Sequence, residues 1–176
     1  MGTSEFEDAY EQDEPSRASE AQRLGEAILA APIRALDPRP AVGVSESATV
    51  REAIQLMVER SVGAVLVVRD ARVLGIFSER DVMRRVVTSG TPLDRPVIDV
   101  ATRDPVTLGL DDGIAFALNR MVLGGFRHIP IVDAAGAPLA VLSQREIVAF
   151  IVSLLPASTL NLPPEPKHEA RSEDGG

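Results

Sequence analysis

The chain has 176 residues, 45% of them apolar, which allows one sizeable core or two small cores packed together. Cysteine is absent and His128 and His168 are the only histidines, which excludes disulfides, thiolate metal sites, a cysteine nucleophile and a histidine-rich metal site. The net charge of −8 belongs to the ends, because residues 21–155 hold fifteen acids and fifteen bases; the neutral body gives no electrostatic reason to bind nucleic acid, and five Phe with one Tyr offer few stacking platforms.

In chain order, residues 1–21 read as a disordered acidic tail with few side chains able to pack. No apolar run approaches the roughly 18 residues of a membrane span, and the acidic start lacks a signal peptide's basic and apolar regions, so a cytoplasmic protein is expected. Residues 22–90 form a first unit with a lead-in helix, residues 91–155 a second, and residues 156–176 a proline-rich, charged second tail. The two units are one pattern written twice. An offset of 64 aligns Pro32 with Pro96, Arg39 with Arg103, Ala53 with Ala117 and Met57 with Met121; past the extra residue in DAAGAP an offset of 65 aligns Ser78 with Ser143 and Arg80 with Arg145.

Each unit opens with a short strand, AVGVS or PVTLG. A helix follows, with Val50, Ala53, Ile54, Met57 and Val58, and then Ile114, Ala117, Leu118, Met121 and Val122, at the spacing of one buried face. Thr49 and Glu52 make a capping-box pattern at the first helix, and Asp112 is placed to cap the second. Two β-rich runs and a closing helix complete each unit, as AVLVV, VLGIF and ERDVMRRVV, and as HIPIV, LAVL and QREIVAFIV. The expected fold is therefore α/β (α+β), two β-α-β-β-α repeats. A half of about 55 residues cannot bury its apolar faces alone, so the halves should pack sheet to sheet about a pseudo-twofold axis.

The runs VSESATVREAIQLMVERSVGAVLVV, VLGIFSERDVMRR, VIDVATRDPVTL and GGFRHIPIVD resemble a tandem pair of cystathionine β-synthase (CBS) domains, a Bateman module, over about residues 32–154. The resemblance implies a stand-alone regulatory module that binds adenine nucleotides or related adenosyl ligands between the paired domains and performs no chemistry on them. GIFSERD, residues 75–81, matches the family's motif and implies Asp81 as the ribose residue and Ser78 as a phosphate residue. The competing reading is local: Ser78 caps the helix and Asp81 favours its positive end. The second repeat departs from the motif, with Ala140 for Gly75 and Glu146 for Asp81, which implies a weaker or empty second site at Ser143 and Glu146.

Arg127 and His128 stand before a core strand where the first repeat has Gly63 and Ala64, and the resemblance implies that they reach phosphate. It likewise implies a base against Val42 and Val44 with Ala64 or Val65, residues that ordinary core packing explains equally. The result is a composite site of Ser78 and Asp81 with Arg127 and His128. AMP, ADP or ATP is the expected ligand; S-adenosylmethionine has no phosphate for Arg127, and no metal is required. A homodimer is expected, with an unknown regulated partner, no nucleic acid and no membrane. The alternative function is a ligand-free dimerisation scaffold. No nucleophile, base and oxyanion set supports an enzyme.

Overall fold

A computed structural model describes residues 25–154, and the two tails expected at 1–21 and 156–176 lie outside the described residues. The fold mixes helix and strand in two repeats. The first contains β1 (Gly43–Ser45), α1 (Val50–Arg60), β2 (Ala64–Arg69), β3 (Arg72–Ser78) and α2, which begins as an α-turn at Glu79–Asp81 and continues as a π-helix over Val82–Val87. The second contains β4 (Thr102–Arg103), α3 (Ile114–Gly124), β5 (His128–Val132), β6 (Pro138–Ser143) and α4 (Gln144–Ser153).

Local signals account for most of these elements. At the start of α1 the Glu52 carboxylate accepts from the Thr49 amide at 2.7 Å while the Glu52 amide donates to Thr49 Oγ1 at 3.2 Å, so the capping box forms. The α1 stripe Val50, Ala53 and Met57 packs on Val65, Val67 and Phe77 of the sheet. The other face of the same strands carries Ala64, Leu66 and Ile76, against which Val141 of the second repeat packs. Burial on both faces explains why β2 reads as an unbroken apolar run. Ile114, Ala117 and Met121 of α3 join Ile129, Ile131, Leu142 and Ile147 in the second core.

The repeats are interlocked through their lead-in segments. A four-stranded sheet runs β1-β2-β3-β4, so its last strand comes from the second repeat; in return Pro40 bridges Ala140, and the Ala41 amide donates to the Leu139 carbonyl at 3.0 Å. Ile33, in the 3-10 turn Ile33–Leu36, is fully buried in the second core, whereas Val97, Val100 and Ala101 belong to the first. The pseudo-twofold relation appears in the pairing itself. The bridges Thr49–Pro96 and Pro32–Gly113, and the parallel pairs Val44–Val67 and Leu108–Ile131, are related residue for residue by the sequence offset.

Several expectations are corrected. PVTLG forms no strand beyond the Leu108 bridge; Pro105 has no amide to donate, and the paired residues are Thr102 and Arg103. Asp112 does not cap α3: its carboxylate accepts from the Gly109 amide at 2.7 Å, and Gly113 is the N-cap residue without a side-chain bond. Val58 and Val122, expected on buried helix faces, are 74% and 70% exposed, while their neighbours Met57 and Met121 are buried; Val58 lies off the core-facing stripe and lines the cleft between the repeats. Among the described residues no helix is long and apolar enough to cross a membrane.

Candidate functional site

Both closing helices start from a Ser that is bonded to a carboxylate three residues on. In the first repeat Asp81 Oδ2 accepts from the Ser78 amide at 3.0 Å and from its hydroxyl at 2.7 Å. In the second, Glu146 Oε2 accepts from both Ser143 groups at 2.7 Å, and the Glu146 amide donates back to Ser143 Oγ at 3.2 Å. The extra methylene of Glu146 therefore leaves the capping geometry intact. What differs is the second carboxylate oxygen. Asp81 Oδ1 lies 3.4 Å from Arg85, itself anchored on the Val100 carbonyl at 3.0 Å, and Asp81 is 9% exposed. The position four residues after Glu146 is Phe150, which supplies no counter-ion.

Between the repeats lies a cleft of about 1340 Å³. The first repeat contributes Val42, Met57, Val58, Gly63, Ala64 and Glu79; the second contributes Arg127, His128, Ser143, Arg145 and Glu146. Arg39 stands at its rim. The space is open to solvent and larger than the roughly 300–1,000 Å³ of most small-molecule pockets, and charged and polar side chains share its walls with apolar ones.

His128 starts β5 opposite Ser143 in register. Its ring fits because the facing residue is glycine: a β-carbon on Gly63 would stand 3.0 Å from His128 Nε2 and 3.3 Å from Glu79 Oε2. Burial pushes the imidazole below its ordinary pKa of 6.5; Glu79 and Glu146 oppose that shift, while Arg127 and Arg80 add to it. At neutral pH His128 is thus a neutral ring able to donate one hydrogen bond.

The cleft unites Arg127, His128, Ser143, Glu146, Val42 and Ala64 of the residues expected from sequence. It does not include Ser78, Asp81, Val44 or Val65, so the composite of Ser78 and Asp81 with Arg127 and His128 is not assembled there. The reason is topological. Each closing helix starts at the end of its own hairpin, and this cleft receives the α4 start with Ser143 and Glu146, whereas α2 lends it Glu79, Val82 and Met83 but neither Ser78 nor Asp81. Val65 is fully buried among α1 side chains and is ordinary core. Gly75 also has a structural reason: a β-carbon there would come 3.0 Å from the Thr102 carbonyl of β4, whereas Ala140 faces a single bridge to Pro40. Arg39, Arg145 and Glu79 were not singled out from sequence. The available signal for both arginines was their repetition, as Arg39 with Arg103 and Arg80 with Arg145.

Comparison with known proteins agrees with this architecture. The CBS domain profile matches twice, at residues 33–88 and 97–153. A 17.7 kDa protein of Acidianus ambivalens is 30% identical over 112 residues, covering 63% of this chain and 67% of its own. An Arabidopsis thaliana CBS domain-containing protein is 33% identical over 121 residues, but the match spans 68% of this chain and only 21% of that longer protein. Among solved structures, a conserved protein from Pyrococcus horikoshii superposes with a TM-score of 0.65 at 29% identity, covering 73% of this chain and 96% of that one. A CBS domain protein from Pyrobaculum aerophilum, complexed with AMP, gives 0.63 at 27% identity over 70% and 99% of the two chains. With two profile matches, two interlocked β-α-β-β-α units and a cleft between them, the chain belongs to the CBS domain family and carries two CBS domains in tandem.

Proposed function

We propose that this protein is a regulatory module that binds an adenine nucleotide of the AMP, ADP or ATP type between its repeats and performs no chemistry on it. The observation that carries the reading is one cleft lined by Arg127, His128 and Glu146, whose second carboxylate oxygen accepts no hydrogen bond from a described residue. In this reading the Arg127 guanidinium and His128 take phosphate oxygens, since a planar fork of donors matches them. Glu146 accepts from the ribose hydroxyls with Ser143 fixing its rotamer, and Val42 and Ala64 line the base. The AMP complex of the Pyrobaculum aerophilum relative supports the ligand class. S-adenosylmethionine would leave Arg127 without a phosphate partner. The ligand touches both repeats, so it favours whichever arrangement brings Arg127 and Val42 to the same molecule, and it shifts the population of states only by that difference in affinity.

A pairing of two chains belongs to the proposal as well, because α1, α2, α3 and α4 all leave apolar side chains outside, among them Met83, Val87, Phe116, Leu123 and Val152. The test is thermal unfolding with AMP, ADP, ATP, S-adenosylmethionine and a guanine nucleotide, read beside sedimentation. Saturating adenine nucleotide at 100 times its Kd should add about 2.7 kcal/mol. No shift with any of them, in protein shown to be free of bound nucleotide, together with a stable dimer, would replace this reading by the dimerisation scaffold.

A further inference from the structure

We propose that Arg39 and Arg145 act with Arg127 to select, among adenine nucleotides, those with two or more phosphates; this rests on the nucleotide reading above. The three arginines line the cleft from three elements: Arg127 and Arg145 at the end of β6 and the start of α4, and Arg39 beside the beginning of β6. Arg145 lies in the first turn of α4. Arg127 is fastened there by its carbonyl, which accepts from the Gln144 amide at 2.9 Å. Arg39 precedes Pro40 and Ala41, which cross from the first repeat onto β6 at Ala140 and Leu139. All three are exposed side chains with no ion pair or hydrogen bond to another described residue.

Their pseudo-symmetric counterparts differ. Arg103, the mate of Arg39, is 3.8 Å from Asp99; Arg80, the mate of Arg145, donates to the Gly125 carbonyl at the end of α3; the mate of Arg127 is Gly63. Only Arg84, at the position of Ala149, stands there without a partner among the described residues. Three arginines without a side-chain partner among the described residues thus line this cleft, where two of the counterpart positions hold engaged arginines and the third a glycine. Glu79 and Glu146 oppose it in the same cleft, and Glu146 already accepts two bonds from Ser143 on one oxygen. A monophosphate satisfies one or two such cations, whereas each added phosphate brings further charge and acceptor oxygens to the rest. The size of the cleft leaves room for the longer chain.

The test is calorimetric titration of the full chain with adenosine, AMP, ADP and ATP in EDTA. Affinity should rise at least about fivefold from AMP to ADP and again to ATP, a modest yield for charge-assisted bonds at an exposed rim. The rise should shrink with added salt. In the Arg39→Ala/Arg145→Ala double variant the ratio of ATP to AMP affinity should fall towards one, with an unchanged unfolding midpoint. AMP binding as tightly as ATP, or a ratio that survives in the double variant, overturns the selection and leaves the nucleotide reading standing. Failure of every probe to bind the parent protein removes the nucleotide reading, and this inference with it.

Discussion

The two repeats place the same serine and a carboxylate three residues later at the same helix start, yet they leave different groups exposed to a ligand. In the first, Asp81 is enclosed by Ser78 and Arg85; in the second, Glu146 shares the Ser143 bonds but has no cation at the following turn and lies in an open cleft. The repeat with the better motif match is therefore the one whose carboxylate is already engaged. Motif agreement reports geometry, and it says nothing about whether neighbouring charges have consumed the group. Availability here is decided by Arg85 against Phe150, a position outside the motif.

The largest way to break the comparison is to separate the repeats. A chain ending at residue 90 lacks Val97, Val100 and Ala101 of its own core and should show no cooperative unfolding transition by circular dichroism. Next comes Ile33→Ala, which opens a cavity in the second core although the residue precedes the first; a loss of about 2–5 kcal/mol in urea unfolding is expected. The motif carboxylates are compared directly by Glu146→Gln and Asp81→Asn. Glu146→Gln should weaken adenine-nucleotide binding about tenfold, or about 1.4 kcal/mol, whereas Asp81→Asn should change affinity less than threefold and lower the unfolding midpoint instead.

His128 adds a dependence on pH. Its folded pKa lies below the ordinary 6.5, so as pH falls the unfolded chain takes up the proton first. The stability held above pH 6.5 should be lost as pH drops through that value towards the folded pKa, and His128→Gln should flatten this part of the profile. Phosphate near the ring would raise its pKa, so nucleotide binding should take up protons and tighten from pH 7.5 to 6, read from the buffer dependence of the calorimetric enthalpy. The smallest effect concerns the β2–β3 turn, where Asp70 and Ala71 both have positive φ, 49° and 59°. Ala71→Gly should raise stability by up to about 1 kcal/mol, since left-handed backbone is costly for a residue with a β-carbon. The second repeat already has Gly136 at φ 83° in its corresponding turn.

Much of this was readable in the chain. The repeat offset recovers the bridges Thr49–Pro96 and Pro32–Gly113, and the Thr49 and Glu52 spacing predicts a capping box that forms as expected. Arg127, His128, Ser143 and Glu146 were also marked, and they share a cleft. The missing parts are those in which distant segments decide the outcome. Nothing local in Thr102 and Arg103 announces an edge strand on the other repeat's sheet; the extended backbone becomes a strand because β3 offers a free edge. The glycine at 75 belongs to the motif GIFSERD, and nothing local shows that it makes room for a carbonyl of that strand. Asp112 had the right type and spacing for a helix cap but found a nearer amide at Gly109. The π-helical turn of α2 is likewise invisible to spacing, since ERDVMRRVV and QREIVAFIV carry the same apolar periodicity and only the second forms a regular α-helix.

The exchange of lead-in segments also puts the two repeats in a fixed order in time. All strands and helices of the first repeat have been synthesised by residue 87, yet its core must wait for Val97 to Ala101. The second repeat needs Ile33, which is already present when its own strands emerge. A nascent chain that stalls before Val97 therefore holds β2 and β3 side by side with their apolar face incompletely covered, the kind of species that aggregates. Once residue 101 has joined, the first half can close, and it then serves as the surface on which the second is finished.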